Sequence, residues 1–295
     1  MNSIETLLAF KNGEIPMGLG IGIPAIDKYL SWKPNNFSVT LARDNVGKTF
    51  FKLWYYCVLA KKHGLRYNII AKESDTWVLK MYLLEFLMGC KLNQIAEKDI
   101  YHWNNWIDHH FNFIEGGMLD FKKIMDLAAK DKVDLTWIDP YNALFKPQGI
   151  NDHQYDYEII RLCNEYKKTH GSIDISIHPV TELNRMIITD KDDDYKGYPA
   201  PARKWHSEGG GKWQNGVDQF LCIHRFTSHG TFWNRTRLYV DKVRVTQTGG
   251  SVTPENNYLI FEYDVKSCRF MVNNQDALSD KDSLDFDNAE TFDIF

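Results

Sequence analysis

The residues best placed to do chemistry lie together in Ala42-Arg43-Asp44-Asn45-Val46-Gly47-Lys48-Thr49-Phe50. A β-branched and aromatic run, Phe37–Leu41, leads into them, and an apolar helical pattern from Phe50 to Lys62 leads out. Gly-Lys-Thr between a strand and a helix suits a triphosphate. Backbone N–H groups and the helix N-terminus hold phosphate oxygens, Lys48 reaches the β- and γ-phosphates, and the Thr49 hydroxyl ligates Mg²⁺. Ala42 stands where the G-x-x-x-x-G-K-[ST] pattern has its first glycine. Gly-Lys-Thr also arises by chance at a turn into a helix, so a metal-holding acid and a sensor are required from elsewhere.

Leu135-Thr136-Trp137-Ile138-Asp139-Pro140 supplies the acid. Pro140 cannot continue a β-ladder, so the strand stops there. Asp139 then faces the crevice at the carboxyl edge of a parallel sheet, where it is expected to hold Mg²⁺ through water. Glu73 is read as ending a second strand, Ile69–Glu73, and its carboxylate is expected to orient the attacking water. The plainer role is an acid at a helix start, favoured by the dipole. Ser172-Ile173-Asp174-Ile175-Ser176-Ile177-His178-Pro179 gives a third strand ending in a polar residue, and His178 is expected to contact the γ-phosphate and report its loss to the following loop.

Strands and helices must place these groups. Strands are expected at Phe37–Leu41, Arg66–Ala71, Val133–Ile138, Ile173–Ile177, Gln219–His224, Arg237–Lys242 and Leu259–Tyr263. Helices are expected at Ser3–Phe10, Pro24–Leu30, Phe50–His63, Thr76–Cys90, Phe121–Lys130 and Tyr155–His170, with smaller ones in Gln94–Asp120. Strands alternating with helices imply an α/β fold with a mostly parallel sheet covered on both faces, turning antiparallel where the last strands lack helices. The polar, Gly-rich stretch from Asp190 to Gly211 is too long for a tight turn and reads as a mobile functional loop or an insertion.

Composition excludes several classes. Hydrophobic residues make up 43% and charged residues 25% of the 295, ordinary values for a globular protein. No apolar run reaches the roughly 18 residues of a membrane span. The N-terminus has no basic region followed by an apolar one, so no secretory signal is read. Five scattered cysteines without a C-x-x-C pair point to a reducing cytosol and away from zinc. The net charge of −4 is unevenly spread: residues 275–295 hold seven acids against Lys281, a charge of −6, which leaves +2 on residues 1–274. Any nucleic-acid contact therefore has to be a local basic patch.

As an ordered set these segments resemble the RecA-like ATPase core of DnaB-type replicative helicases, and within them the Twinkle-like and phage helicases. Ala42–Thr49 resembles that family's phosphate loop, which commonly opens with Ala-Arg. Ile138–Asn142 resembles its Walker B acid, Ile177-His178-Pro179 its sensor strand, and Ser207–Asp218 the segment before Ile223-His224-Arg225. Val240-Asp241-Lys242-Val243-Arg244, followed by Gly249-Gly250, resembles a hairpin whose arginine reaches a neighbouring subunit's γ-phosphate, assisted by the lysine. The resemblance, covering roughly residues 18–270, implies a P-loop NTPase that uses ATP and Mg²⁺ and assembles as a hexamer or other ring. It implies 5′→3′ movement on single-stranded DNA, with Arg244 as the trans finger and Lys242 its partner. It further implies a cytoplasmic, phage-encoded protein acting in its host.

The domains expected are a short linker helix at 1–17, the ATPase core at 18–274 and an acidic disordered tail at 275–295. Arg203, Lys204 and Lys212 are the basic candidates for DNA phosphates, with Trp205 or Trp213 as stacking partners, although Asp190, Asp192, Asp193 and Asp194 oppose phosphate nearby. The tail, with Phe292, Ile294 and Phe295 at its end, resembles the acidic tips by which bacterial single-stranded DNA-binding proteins dock on replication partners. It either recruits a replisome partner, screens the chain's own DNA site, or only solubilises. Two other functions share the phosphate loop and the acid. One is a RecA- or KaiC-like recombinase or helicase loader that does not unwind; the other is a nucleotide-gated replisome scaffold.

Overall fold

In the computed structural model, residues 3–115, 120–180, 190, 193–255 and 257–279 are described. Ten strands form one sheet in the order β10-β9-β8-β7-β6-β1-β5-β4-β2-β3. They are β1 (Phe37–Ala42), β2 (Tyr67–Ala71), β3 (Phe111–Phe113), β4 (Leu135–Asp139), β5 (Ser172–Ile177), β6 (Gln219–Arg225), β7 (Arg235–Val243), β8 (Leu259–Asp264), β9 (Arg269–Val272) and β10 (Gln275–Asp276). From β3 to β6 all pairings are parallel, and from β6 to β10 all are antiparallel. The change falls where crossover helices give way to short connections, because only antiparallel neighbours can be joined that way.

The helices are α1 (Ser3–Lys11), α2 (Pro24–Asp27), α3 (Lys48–His63), α4 (Thr76–Met88), α5 (Glu97–His110), α6 (Phe121–Ala128), α7 (Asp152–Tyr166) and α8 (Gly211–Gly216). They build two hydrophobic layers, one on each face of the sheet. Ile69, Trp137, Leu221 and Ile223 join α3, α4 and α5 in one layer, while Ile70, Ile138, Phe220 and Cys222 join α6 and α7 in the other. Neighbouring strand residues thus feed opposite layers, which is why these strands read as unbroken apolar runs.

Helix α3 is locked onto the sheet by charge as well as apolar contact. Lys52 Nζ pairs with the Asp174 carboxylate of β5 inside the protein, and Tyr56 Oη donates to the same carboxylate at 2.5 Å. Lys52 and Lys48 are one turn apart, so this pair fixes the face on which Lys48 projects.

Several expectations need correction. Strand β2 ends at Ala71, so Glu73 lies two residues beyond it in a bend; Lys72 N–H still donates to Asp139 O at 2.9 Å, but the chain then turns away. The described part of the 190–211 stretch is anchored. Tyr195 is buried, stacks on Phe226, and lies under the Arg237 guanidinium 3.7 Å from its centroid, while Arg237 pairs with Asp190 at 3.1 Å. A cation–π contact between distant segments leaves no trace in local polarity.

The tail begins later than its composition suggests. Gln275–Asp276 forms β10, Arg269 pairs with Asp276 at 2.8 Å, and Leu278 is only 1% exposed. The remaining tail, with Phe292, Ile294 and Phe295, lies outside the described residues, as does Asp192. Leu278→Ala is expected to cost about 2–5 kcal/mol in urea unfolding; a loss below about 0.5 kcal/mol would return residues 275–279 to the tail.

Candidate nucleotide site

The loop after β1 turns through two left-handed residues, Asn45 (φ 58°) and Gly47 (φ 80°). Ala42 is still in the strand, paired with Ile223 and fully buried, so its position does not require glycine. Gly47 does: a side chain there would be strained at that φ, and its Cβ would stand 3.4 Å from the Arg225 guanidinium. Helix α3 then starts without a side-chain cap, leaving first-turn N–H groups to meet an anion.

Asp139, the last residue of β4, is 2% exposed and faces this turn across β5. The Thr49 hydroxyl donates to its Oδ2, and Lys48 Nζ lies 3.1 Å from its Oδ1. That ion pair lacks hydrogen-bond alignment: Lys48 Nζ and Asp139 Oδ1 are both buried without a hydrogen-bond partner. An ammonium short of an acceptor beside a carboxylate and a hydroxyl matches a phosphate with a hydrated divalent cation, so ATP and Mg²⁺ fit these donors.

His178 follows β5 directly, with Nδ1 2.7 Å from Asp44 Oδ1 of the loop. Its N–H donates to Asn142 Oδ1 at 3.3 Å, and Asn142 Nδ2 donates to Glu208 Oε2 at 2.6 Å. The loop tip is thereby tied to the segments after β4 and before α8. Arg43 makes a second tie, donating from Nε to Ala200 O at 3.2 Å. Desolvation lowers the Arg43 pKa, and it pushes His224 on β6 down to about 3, with Arg43 and Arg237 adding to the shift.

Glu73 is exposed and hydrogen-bonds to neither Lys48, Thr49 nor Asp139. It lines a cleft of about 690 Å³ with Lys72, Asp75, Trp77 and Glu115. Phe50, expected among the nucleotide contacts, turns its ring into an aromatic cluster, 4.9 Å from both Tyr82 and Phe86 and 5.2 Å from Tyr263. Val46 is buried as well. Sequence reasoning missed Arg225 as a site residue. It ends β6 beside the loop, its Nε is buried without a hydrogen-bond partner, and burial lowers its pKa. The available signal was a basic residue ending a strand expected next to β1.

Lys242 and Arg244 are elsewhere. Because β7 runs antiparallel to β6, Lys242 lies opposite Phe220, near the start of β1. Six strand residues separate that edge from the loop, roughly 20 Å. Lys242 Nζ donates to Gln214 O at 2.5 Å, and Arg244 Nη2 donates to Asn215 O and Val217 O at 3.1 Å each. Burial and the adjacent Arg244 lower the Lys242 pKa.

The DNA candidates are engaged within the chain. Arg203 donates from Nε to both Asp241 oxygens at 3.1 Å and from Nη2 to Oδ1 at 2.5 Å. Lys204 Nζ donates to Asp241 O at 3.1 Å, and Lys212 pairs with Asp156 at 2.8 Å. Trp213 is buried, whereas Trp205 is exposed. Carboxylates of the same chain pair with Arg203 and Lys212, and a backbone carbonyl accepts from Lys204.

No protein-family model matches the chain, and no curated protein matches its sequence. Solved structures do match. One, described as an ATPase domain, superposes with a TM-score of 0.69 at 14% identity, over 92% of this chain and 99% of that one. Another, described as a DnaB-like replicative helicase and its interactions with primase, gives 0.67 at 14% identity, over 91% of this chain. The chain spans 65% of that helicase's length. By fold it is an α/β protein whose ten-stranded sheet is flanked by helices. More narrowly, it has the fold of the ATPase domain of DnaB-like replicative helicases.

Lys48→Ala should abolish binding of a fluorescent ATP analogue. Asp139→Asn should keep binding within several-fold while turnover falls roughly 100-fold or more; undiminished turnover would remove Asp139 from the site.

Proposed function

We propose that the chain is an ATP-hydrolysing, ring-forming DNA helicase of the DnaB kind, coupling hydrolysis to 5′→3′ movement on single-stranded DNA in replication. The observation that carries this is the division of charged groups between two edges of one sheet. Lys48, Thr49 and Asp139 converge at the carboxyl edge, and Lys242 and Arg244 stand at the other. One subunit cannot bring both sets to one phosphate, whereas head-to-tail copies in a closed ring can.

In this reading the loop N–H groups and Lys48 hold the phosphates, while Thr49 and Asp139 hold Mg²⁺. Held there by Thr49 and Asp139, Mg²⁺ would supply neutralisation of the charge on the phosphate oxygens. Glu73 closes toward the crevice to orient water, and His178 exchanges Asp44 for the γ-phosphate. Arg244, assisted by Lys242, completes the neighbour's site, a contribution worth ~10³–10⁵ in rate when supplied in trans. Single-stranded DNA and further copies of the chain are the primary partners, and the acidic tail is a docking segment for another replication protein.

The internal pairing of Arg203, Lys204 and Lys212 favours a second reading, a recombinase or loader ATPase that does not unwind. Measuring ATPase activity with and without single-stranded DNA, alongside forked-duplex unwinding at several protein concentrations, separates the two. The helicase reading expects specific activity that rises with concentration and with DNA, and strand separation. Stimulated ATPase without unwinding supports the second. Arg244→Ala alone should bind nucleotide like wild type while its turnover falls roughly 10³-fold or more; undiminished turnover would argue against a shared site.

A further inference from the structure

Outside the nucleotide crevice, a polar junction is centred on Asp218, between α8 and β6. Its Oδ2 accepts the N–H of Phe37, the first residue of β1, at 2.9 Å, and also pairs with the Lys167 ammonium just past α7. Its Oδ1 faces Arg244 Nη1 at 3.2 Å. The backbone repeats the link: Asp218 N–H donates to Phe37 O and Arg244 N–H donates to Asp218 O, both at 2.8 Å. With Nη2 on the carbonyls of Asn215 and Val217, the guanidinium is oriented by three acceptors although the side chain is 45% exposed.

An arginine ending a strand beside solvent would otherwise sample many rotamers, and orienting it would oppose its action on a phosphate. Asp218 removes that cost in advance. Its charge is shared, because one carboxylate lies between two cations and the group keeps a net positive charge. Lys167 holds the second oxygen, so the carboxylate stays in place if the guanidinium leaves. The same residues border a cleft of about 430 Å³ with Lys33, Asn36 and Thr248, open to an incoming group.

We propose that Asp218 is the positioning residue of the Arg244 finger, presenting the guanidinium to a neighbouring subunit's phosphate while Lys167 keeps the carboxylate from retaining it. The inference rests on the reading of Arg244 as a group that acts in trans.

Asp218→Asn keeps an acceptor for Phe37 N–H and gives up the charge. It should bind a non-hydrolysable fluorescent ATP analogue within about twofold of wild type, while kcat falls about 10- to 100-fold with little change in KM. Mixing it with Lys48→Ala subunits, inactive in cis but carrying an intact finger, should restore activity, as should mixing Arg244→Ala with Lys48→Ala. Failure of the Arg244→Ala mixture to regain activity would overturn the trans reading itself. If that mixture recovers and Asp218→Asn has wild-type kcat, or is inactive and not rescued, the positioning role is overturned and the trans reading stands. Should Asp218→Asn not fold, Lys167→Met provides the second measurement. With Asp218 neutralised by Arg244 alone, kcat should drop several-fold and be rescued in the same mixture; an unchanged kcat would overturn the proposal.

Discussion

The buried pair between Lys52 and Asp174 is the contact on which the candidate nucleotide site depends. It joins α3 to β5, the strand between the one that feeds the phosphate loop and the one that ends in Asp139. A buried ion pair repays its desolvation only when its remaining hydrogen-bonding capacity is met. Here Tyr56 donates to the carboxylate, Thr40 lies 3.4 Å from its other oxygen, and the ammonium stands over the Tyr56 ring. This sets the rotation of α3. Lys48, one turn earlier, must face Asp139, and Thr49 follows. The Asp139 contacts therefore follow from a helix whose orientation is fixed deeper in the sheet.

The same sheet places the second group of charges. Antiparallel β7 returns the chain to the edge where β1 begins, so whatever follows β7 is carried away from the loop that follows β1. No loop rearrangement within one chain closes a gap of roughly 20 Å spanned by paired strand. The topology holds the two groups of charges apart and leaves each at a different edge of the sheet.

Much of the architecture was legible because it rests on local pattern. The seven longer strands show as apolar runs that end at Pro140 or pass into glycine and polar residues, and the phosphate loop shows as Gly-Lys-Thr between two such elements. What escaped depended on partners distant in sequence. Strand β3 has three residues and exists because it pairs with β2. Strands β9 and β10 form where a hairpin lets Arg269 reach both Asp276 and the carbonyls of Phe86 and Leu87. Acidic composition hid Leu278, whose burial follows from that hairpin. Glu73 was misplaced onto a strand because an extended Ala-Lys-Glu reads like a continuing ladder, and only the turn after Ala71 distinguishes them. Arg225 was passed over because its value lies in lying against Gly47, a contact fixed by the β1–β6 register.

The basic residues show the same limit in electrostatic terms, and they differ among themselves in a way that matters. A lysine or arginine in a sequence counts as a charge, but its availability depends on which acceptors the fold supplies. Arg203 is held in a fork by Asp241, a carboxylate 8% exposed in total, and it stacks 4.4 Å from the centre of Tyr239. Withdrawing it would leave a buried, uncompensated acid, and that cost keeps it in place. Arg244 faces one oxygen of a carboxylate that Lys167 already neutralises, and its other partners are neutral carbonyls near a helix end. Withdrawing it leaves Asp218 paired. Of these two arginines, the fold immobilises one, while the other can leave its acceptors without stranding a buried charge.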